Sequence, residues 1–561
     1  MRLSSLSRAA VPALAVTTAA ALVAGGVGFT ASADDTTTIQ AAERGKPKDK
    51  GFDLPKQLTK RVKAEGIDVH LDKLQAIADK FDGNRASGTP GYNASVRYIV
   101  RTLERVGYEP EVQEFEFPYF VENAPATLAQ TAPDATTYDS PEDFSIMTYS
   151  GSGEASGAVA PVDTTATPGA GTSGCEATDF TDFPAGSIAL IQRGGCTFGT
   201  KATNAQDAGA TGVIIFNSGA EGATDSFAGT LGQPGYTIPV VGTSFAVGQD
   251  LYDPAGTEVT LTTDTTSEIR TTYNVLAETR GGDKDNVVMA GSHLDSVPEG
   301  PGINDNGSGS GAILETAVKL AKFDAKEKKK GKKAKGNGGK GRLTNQVRFA
   351  WWGAEELGLL GSEYYIDQLV EAGETDEIAL YLNFDMVGSP NYVRFVYDGD
   401  NSEGGGAVGP AGSDDIEAMF NEYFDSVDLP SEATPFSGRS DYGPFIAEGV
   451  DIPSGGLFTG AEGVKTEEQA AIYGGTAGEA YDPCYHQECD DRDNVSSDAI
   501  AEMSGAIAHA VATYAVSTEG LGEGSPAPEP RPSGSERKAA QEAARNAELH
   551  PAHDHRDDLR R

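Results

Sequence analysis

The apolar positions of this chain follow two rhythms. In the stretch LQAIADKFDGNRASGTPGYNASVRYIVRTLERVGYEPEVQEFEF they recur three and four residues apart, and then every second residue. The first rhythm predicts a short helix, a glycine-broken loop and a longer amphipathic helix over 92–106; the second predicts a strand over 112–117. After Asn274 the two rhythms alternate, with strand over 286–291, helix over 312–323, strand over 347–352, helix over 358–370 and strand over 379–384. Such alternation points to an α/β domain built on a mainly parallel mixed sheet flanked by helices.

Between 125 and 269 the pattern changes. Thr, Gly, Ala and Ser dominate, the predicted strands are short (187–192 and 213–217), and no cluster of charged side chains suggests chemistry. We read this stretch as an inserted β-rich α/β domain that divides the main domain into 54–124 and 270–520. Residues 319–342 hold ten lysines and one arginine. They read as a solvated, flexible insertion over 324–342, with a tether to an anionic surface as the other reading. Residues 521–561, rich in Pro, Glu, Arg and Ala and carrying His550, His553 and His555, read as a disordered or processed tail.

At the start, Arg2 and Arg8 precede an Ala-, Val- and Leu-rich run that closes on Ala31, Ser32 and Ala33. That is the pattern of a secretion signal over 1–33, followed by a leader or propeptide over 34–53. The run is also just long enough to cross a bilayer, so an anchor stays open. No later segment reads as a membrane span. In a secreted chain, four cysteines favour two disulfides over metal ligation. The local pairing is Cys175 with Cys196 and Cys484 with Cys489, although sequence alone does not exclude the others. A formal net charge of −40 argues against nucleic acid as a partner, since its phosphates must be met by Lys and Arg.

In WWGAEELGLLGS two glutamates, Glu355 and Glu356, sit side by side just after a predicted strand. Alone they would read as a solvated helix face. Yet the chain has only seven histidines, and two of them keep carboxylate company. His293 is followed by Asp295 and by Asp305 in a glycine-rich run that opens a helix; Asp385 lies in YLNFDMVGS and His486 in CYHQEC. Imidazole and carboxylate are ligands that zinc accepts. Two histidines and three carboxylates suit two zinc ions, each with one imidazole, one terminal carboxylate and a share of a bridging one. The second glutamate is then free to take a proton from the attacking water. The candidates also fall near the carboxyl ends of predicted strands, where open α/β sheets bind their ligands.

The runs HLDSVPEGPGINDNGSGS, RFAWWGAEELGLLGS, YLNFDMVGSPN, GRSDYGPF, GGLFTGA, GGTAGEAYD and CYHQEC resemble those of the co-catalytic di-zinc aminopeptidases of the MH clan, metallopeptidase family 28. Within the insert, residues 186–218 carry Arg-Gly-x-Cys-x-Phe, Lys-x-x-Asn-Ala and Gly-Ala-x-Gly-Val, and IPVVG follows; these resemble the protease-associated domain. The first resemblance implies that His293 and Asp385 hold one zinc, that Glu356 and His486 hold the other, and that Asp305 bridges them. It implies Glu355 as general base and Tyr485 as hydrogen-bond donor to the oxyanion. It further implies that Arg439 helps bind substrate and that Met386 and Phe458 line a pocket for a large first residue such as Leu, Phe or Met. Asp295 is expected to orient His293, as carboxylates do for metal-bound imidazoles.

The expectation is therefore a secreted, monomeric zinc aminopeptidase acting on peptide and protein amino termini. A carboxypeptidase or dipeptidase of the same clan would need cations for a terminal carboxylate, and only Arg439 is an obvious one. A non-catalytic, receptor-like binding protein would lack ligands that are all present here, and the complete bridging set disfavours a single-zinc glutaminyl cyclase. The calcium site known in the family finds Ala501 where its carboxylate should stand, so calcium is not expected.

Overall fold

Helix Pro90–Val106 shows how local signals set the elements. Thr89 accepts a hydrogen bond from the Tyr92 amide, Pro90 occupies the first turn, and Gly107 at φ 104° leads the chain out. Between these ends Tyr92, Val96, Ile99 and Leu103 recur at helical spacing and are buried. The computed structural model describes residues 53–169, 171–331 and 343–523. The expected secretion signal, the leader to residue 52, residues 332–342 of the insertion expected over 324–342 and the tail beyond 523 lie outside the described residues, whereas 324–331, also expected to be flexible, continue the helix Gly309–Gly331.

The central sheet follows the predicted alternation. Strand Asp283–His293 runs parallel to Asn345–Trp352 on one side and to Ile378–Phe384 on the other. Ser454–Phe458 continues the sheet in parallel, followed by Phe395–Tyr397 and Glu432–Thr434. Side chains alternate between the two faces of each strand, and both faces are covered. Val347, Phe349 and Trp351 pack into a core shared with the helices Ala64–Ala78, Pro90–Val106 and Ser497–Val516, whereas Ala350 and Trp352 enter a second core with Tyr381 and Phe445.

Two other boundaries also differ from the sequence reading. The helix read over 358–370 begins at Leu360, preceded by a tight turn over Glu355–Leu357, because Ala354, Gly358 and Leu359 adopt left-handed backbone angles of 58°, 103° and 61°. The strand read over 112–117 is the start of Glu111–Ala132, which pairs antiparallel with Glu258–Glu278. This ribbon carries the chain out to the insert and back.

The insert has its own core. Its strands Ile188–Gln192, Gly212–Phe216 and Val240–Thr243 are parallel and buried throughout. Leu190, Ile214 and Val241 pack on one side, and Ile191, Val213 and Ile215 on the other. Cys175 is bonded to Cys196 and Cys484 to Cys489.

Among the described residues one helix, Ser497–Val516, is long and apolar enough to cross a membrane by composition, which corrects the reading that no later segment is. It is apolar all round because it is a core helix, with Ile500, Met503, Ile507 and Val511 fully buried in protein.

Candidate active site

Strand register assembles the site. His293 ends its strand opposite Trp352, so the segment carrying Glu355 and Glu356 emerges beside it. Gly291 is opposite Asn383 on the other neighbour, which brings Asp385 to the same edge. Asp305 arrives on the turn before helix Gly309–Gly331, where its peptide bond to Asn306 is cis. The Asp490 carboxylate anchors that turn by accepting the amides of Asn304 and Asp305, each at 2.9 Å. Arg85, fully buried, donates to the carbonyls of Leu294, Pro301 and Gly302 and so holds the loop between His293 and Asp305.

All five expected ligands converge. Asp305 offers one oxygen to each imidazole: Oδ1 is 3.1 Å from His293 Nε2, and Oδ2 is 3.2 Å from His486 Nε2. On the His293 side lies Asp385 Oδ1 at 3.3 Å; on the His486 side, Glu356 Oε2 at 3.0 Å. Glu355 Oε2 stands 3.8 Å from His293 Nε2. Behind His293, Nδ1 faces the Asp295 carbonyl at 3.2 Å and its carboxylate at 3.7 Å, and that carboxylate also accepts the Glu355 amide at 3.3 Å.

The donor set fits metal cations. Glu356 Oε1 and Asp385 Oδ1 are buried and make no hydrogen bond, a costly state for a carboxylate that a bound cation would relieve. The ligand atoms of His293, Asp305 and Glu356 lie within 4.8 Å of one another, as do those of His293, Glu355 and Asp385. Negative charge is in excess, and the protonation of the groups reflects it. Burial alone would lower both imidazoles, yet Glu355 and Asp385 hold His293 well above its ordinary value, and Glu356 and Asp305 hold His486 up at about 11. Burial pushes the Glu355 carboxyl well up, with His293 opposing and Asp441 and Glu356 adding to the rise, and brings Glu356 to about 7 against the pull of His486. Asp305, despite burial, is held below the carboxylate range by its contacts to the two imidazoles.

A cavity of about 280 Å³ opens from this cluster. Met386 and Phe458 line it, together with Phe395, Tyr397 and Tyr481, which the sequence reading missed. Phe395 packs face to face on Phe458 and edge-on against Tyr481, with ring centroids 6.1 and 5.4 Å apart. At the mouth Arg439 Nη1 pairs with Glu462 at 2.6 Å while its Nη2 donates to the Tyr485 hydroxyl at 3.2 Å. The Tyr485 ring stacks on His486 at 3.8 Å. Burial raises the Tyr485 phenol well above its ordinary value, reinforced by Asp305 and Glu356, so it stays protonated.

Other residues were not anticipated. Ser440 donates to Asp385 Oδ2 at 2.5 Å and itself accepts from Asn383 at 2.8 Å. Asp441 is fully buried, and desolvation raises it to about 8. Both lie inside GRSDYGPF, a run read only for its arginine. Non-glycine residues with left-handed backbone also gather here, namely Ala354, Met386 and His486, as strained positions do at functional sites.

Residues 274–511 match the model of Peptidase family M28, and residues 156–251 match that of the PA domain. The chain is similar to an aminopeptidase of Pseudomonas aeruginosa, 47% identical over 472 residues that cover 83% of each protein. It is 42% identical over 469 residues to leucine aminopeptidase 2 of Trichophyton tonsurans, covering 83% of this chain and 86% of that one. Among solved structures, an aminopeptidase from Aneurinibacillus sp. strain AM-1 matches with a TM-score of 0.55 at 25% identity, covering 85% of this chain and 100% of that chain. The chain belongs to peptidase family M28. It is an enzyme of the aminopeptidase kind, cleaving peptides at their amino end.

Proposed function

We propose that this enzyme is a secreted di-zinc aminopeptidase that removes a large hydrophobic residue such as Leu, Phe or Met from the amino end of peptides. The observation that carries the reading is the Asp305 carboxylate, with one oxygen turned to each of two imidazoles. Were two cations bound, these residues would hold them, with Asp305 between the two donor sets. His293 with Asp385, and His486 with Glu356, complete the two donor sets, and mixed imidazole and carboxylate ligation suits zinc. When bound, a zinc pair polarises a carbonyl and supplies a water nucleophile at neutral pH.

The chain's own residues supply the rest. Glu355, which is not needed as a ligand, accepts a proton from the attacking water and delivers it to the leaving amine. Tyr485, kept protonated, donates to the oxygen on which charge develops. Arg439, steadied by Glu462, holds the Tyr485 hydroxyl and contacts the substrate. Carboxylates at the closed end of the cavity suit a free α-ammonium. The aromatic wall around Met386 and Phe458 suits a large apolar first side chain. Asp295 holds the His293 side of the site, and the boundaries of the protease-associated insert are taken as 125 and 269. The composition of residues 1–33 and the two disulfides support an extracellular location.

Hydrolysis of a panel of amino-acid nitroanilides by wild type and Glu355→Gln, each treated with chelator and then zinc, tests the reading. Turnover should be greatest for leucine, phenylalanine and methionine and stop on chelation. Glu355→Gln should lose about 10²- to 10⁴-fold in kcat. Activity surviving both changes would refute the mechanism.

A further inference from the structure

The segment that carries Glu355 and Glu356 does not hold its own shape. Ala354 and Leu359 are both non-glycine residues in left-handed backbone, a conformation that costs energy and persists only where surroundings impose it. What imposes it here is found on the ribbon leading to the insert. Asn274 is fully buried. Its Oδ1 accepts the Gly353 amide at 3.1 Å, and its Nδ2 donates to the Gly361 carbonyl at 2.8 Å. One side-chain amide therefore ties the first residue of the loop to the last.

The neighbouring residues fit that arrangement. Gln113 stands directly opposite Asn274 across the ribbon, so the two side chains share a face. Gln113 Oε1 accepts the second Nδ2 hydrogen of Asn274 at 2.9 Å, which fixes which way the amide points. Thr272, two residues along the same strand, donates to Ser87 Oγ at 3.1 Å, and Ser87 accepts the Ala354 amide at 2.7 Å. The loop ends approach so closely that a Cβ on Gly361 would lie 2.3 Å from the Gly353 carbonyl and 2.4 Å from Asn274 Oδ1. Phe115 and Phe117 of the ribbon then cover Ala354, Leu357 and Tyr364.

We propose that Asn274 is a positioning residue for the reaction, clamping the 353–361 loop at both ends so that Glu355 and Glu356 meet the metal pair and the attacking water in register. The inference rests on the roles of those two glutamates proposed above. Asn274 touches neither substrate nor metal ligand. Its effect is on placement, to which rate is steeply sensitive.

The test compares wild type, Asn274→Ala, Gln113→Ala, the double variant and Glu355→Gln, all zinc-loaded, with leucine nitroanilide. Asn274→Ala should lower kcat by about 10- to 100-fold with KM within about twofold and metal content unchanged, the pattern of misplacement rather than lost binding. A second measurement is independent of turnover: in metal-free protein the amides of Gly353 and Ala354 should exchange with solvent about tenfold faster in the variant. Gln113→Ala, on the partly exposed ribbon, should give a smaller fall, and none on the Asn274→Ala background.

A folded Asn274→Ala protein with kcat within twofold of wild type, or with unchanged exchange at 353–361, overturns the proposal. If Asn274→Ala does not fold, Gln113→Ala decides alone by the same two readouts. Wild-type turnover in Glu355→Gln would instead fault the assignment of the glutamates. An inactive Glu355→Gln beside an unimpaired Asn274→Ala would fault only the clamp.

Discussion

At the scale of single residues, two groups near the bridging Asp305 carry separable expectations. Tyr485 is held protonated and aimed by Arg439, so Tyr485→Phe should lower kcat by about 10²- to 10³-fold. KM should change little if the hydroxyl acts chiefly on the oxyanion. The imidazoles make a prediction about metal uptake. Without metal, His486 keeps its proton up to about 11 and Glu356 up to about 7, and both must be deprotonated to bind a cation. Raising pH removes the competing protons, so metal affinity should rise from pH 6 to 8, with protons released on binding. Calorimetry in buffers of different ionisation enthalpy measures that release. Affinity that is flat or falls with pH would contradict it. Legibility at this scale follows scarcity. His293 and His486 stood out among seven histidines, whereas Asp441 and Asp490 were hidden among 84 acidic residues. Nothing local distinguishes a buried carboxylate from a solvated one.

At the scale of elements, the loop after strand Asn345–Trp352 is the sensitive piece. Gly361 has no room for a Cβ, because the backbone of Gly353 stands in its place. Gly361→Ala should therefore force the loop ends apart. Overpacking of this kind costs about 1–3 kcal/mol, read as a lower Tm, and the displaced glutamates should lower kcat by more than the small loss of folded protein explains. The periodic elements were legible because their apolar spacing repeats over several turns or pleats. The turn over Glu355–Leu357 was read as part of a helix because its defining angles lie on Ala354 and Leu359, residue types that do not announce left-handed backbone. The ribbon was cut short for a similar reason. Its alternation is clear to Phe117, but its continuation to Ala132 is maintained by pairing with Glu258–Glu278, more than 100 residues away in the chain.

At the scale of the whole molecule, the proposed metal site would contribute to stability. Glu356 Oε1 and Asp385 Oδ1 lack hydrogen bonds in a buried, negatively charged cluster, and four segments distant in sequence meet there. A cation that binds only the folded chain stabilises it, by about 2.7 kcal/mol at one hundred times its Kd. Chelation should therefore lower Tm, and zinc should restore it; a Tm indifferent to chelator would argue that the cluster holds no metal in solution. The ribbon also joins the protease-associated insert to the peptidase domain through a shared aromatic cluster, with Phe115 stacked on Tyr364 at 5.1 Å. The insert's connecting strands are thus part of the wall behind the loop that carries Glu355 and Glu356.

Composition, apolar period and the chemistry of rare residues were enough to determine the α/β class and the insert and to single out the residues proposed as ligands, because each is written in local runs of sequence. Which oxygen of Asp305 faces which imidazole, that Asn274 ties Gly353 to Gly361, and that Ser440 donates to Asp385 were decided only by the tertiary structure. Those relations join residues far apart along the chain, and the strand register that brings them within hydrogen-bond distance exists only once the sheet has closed.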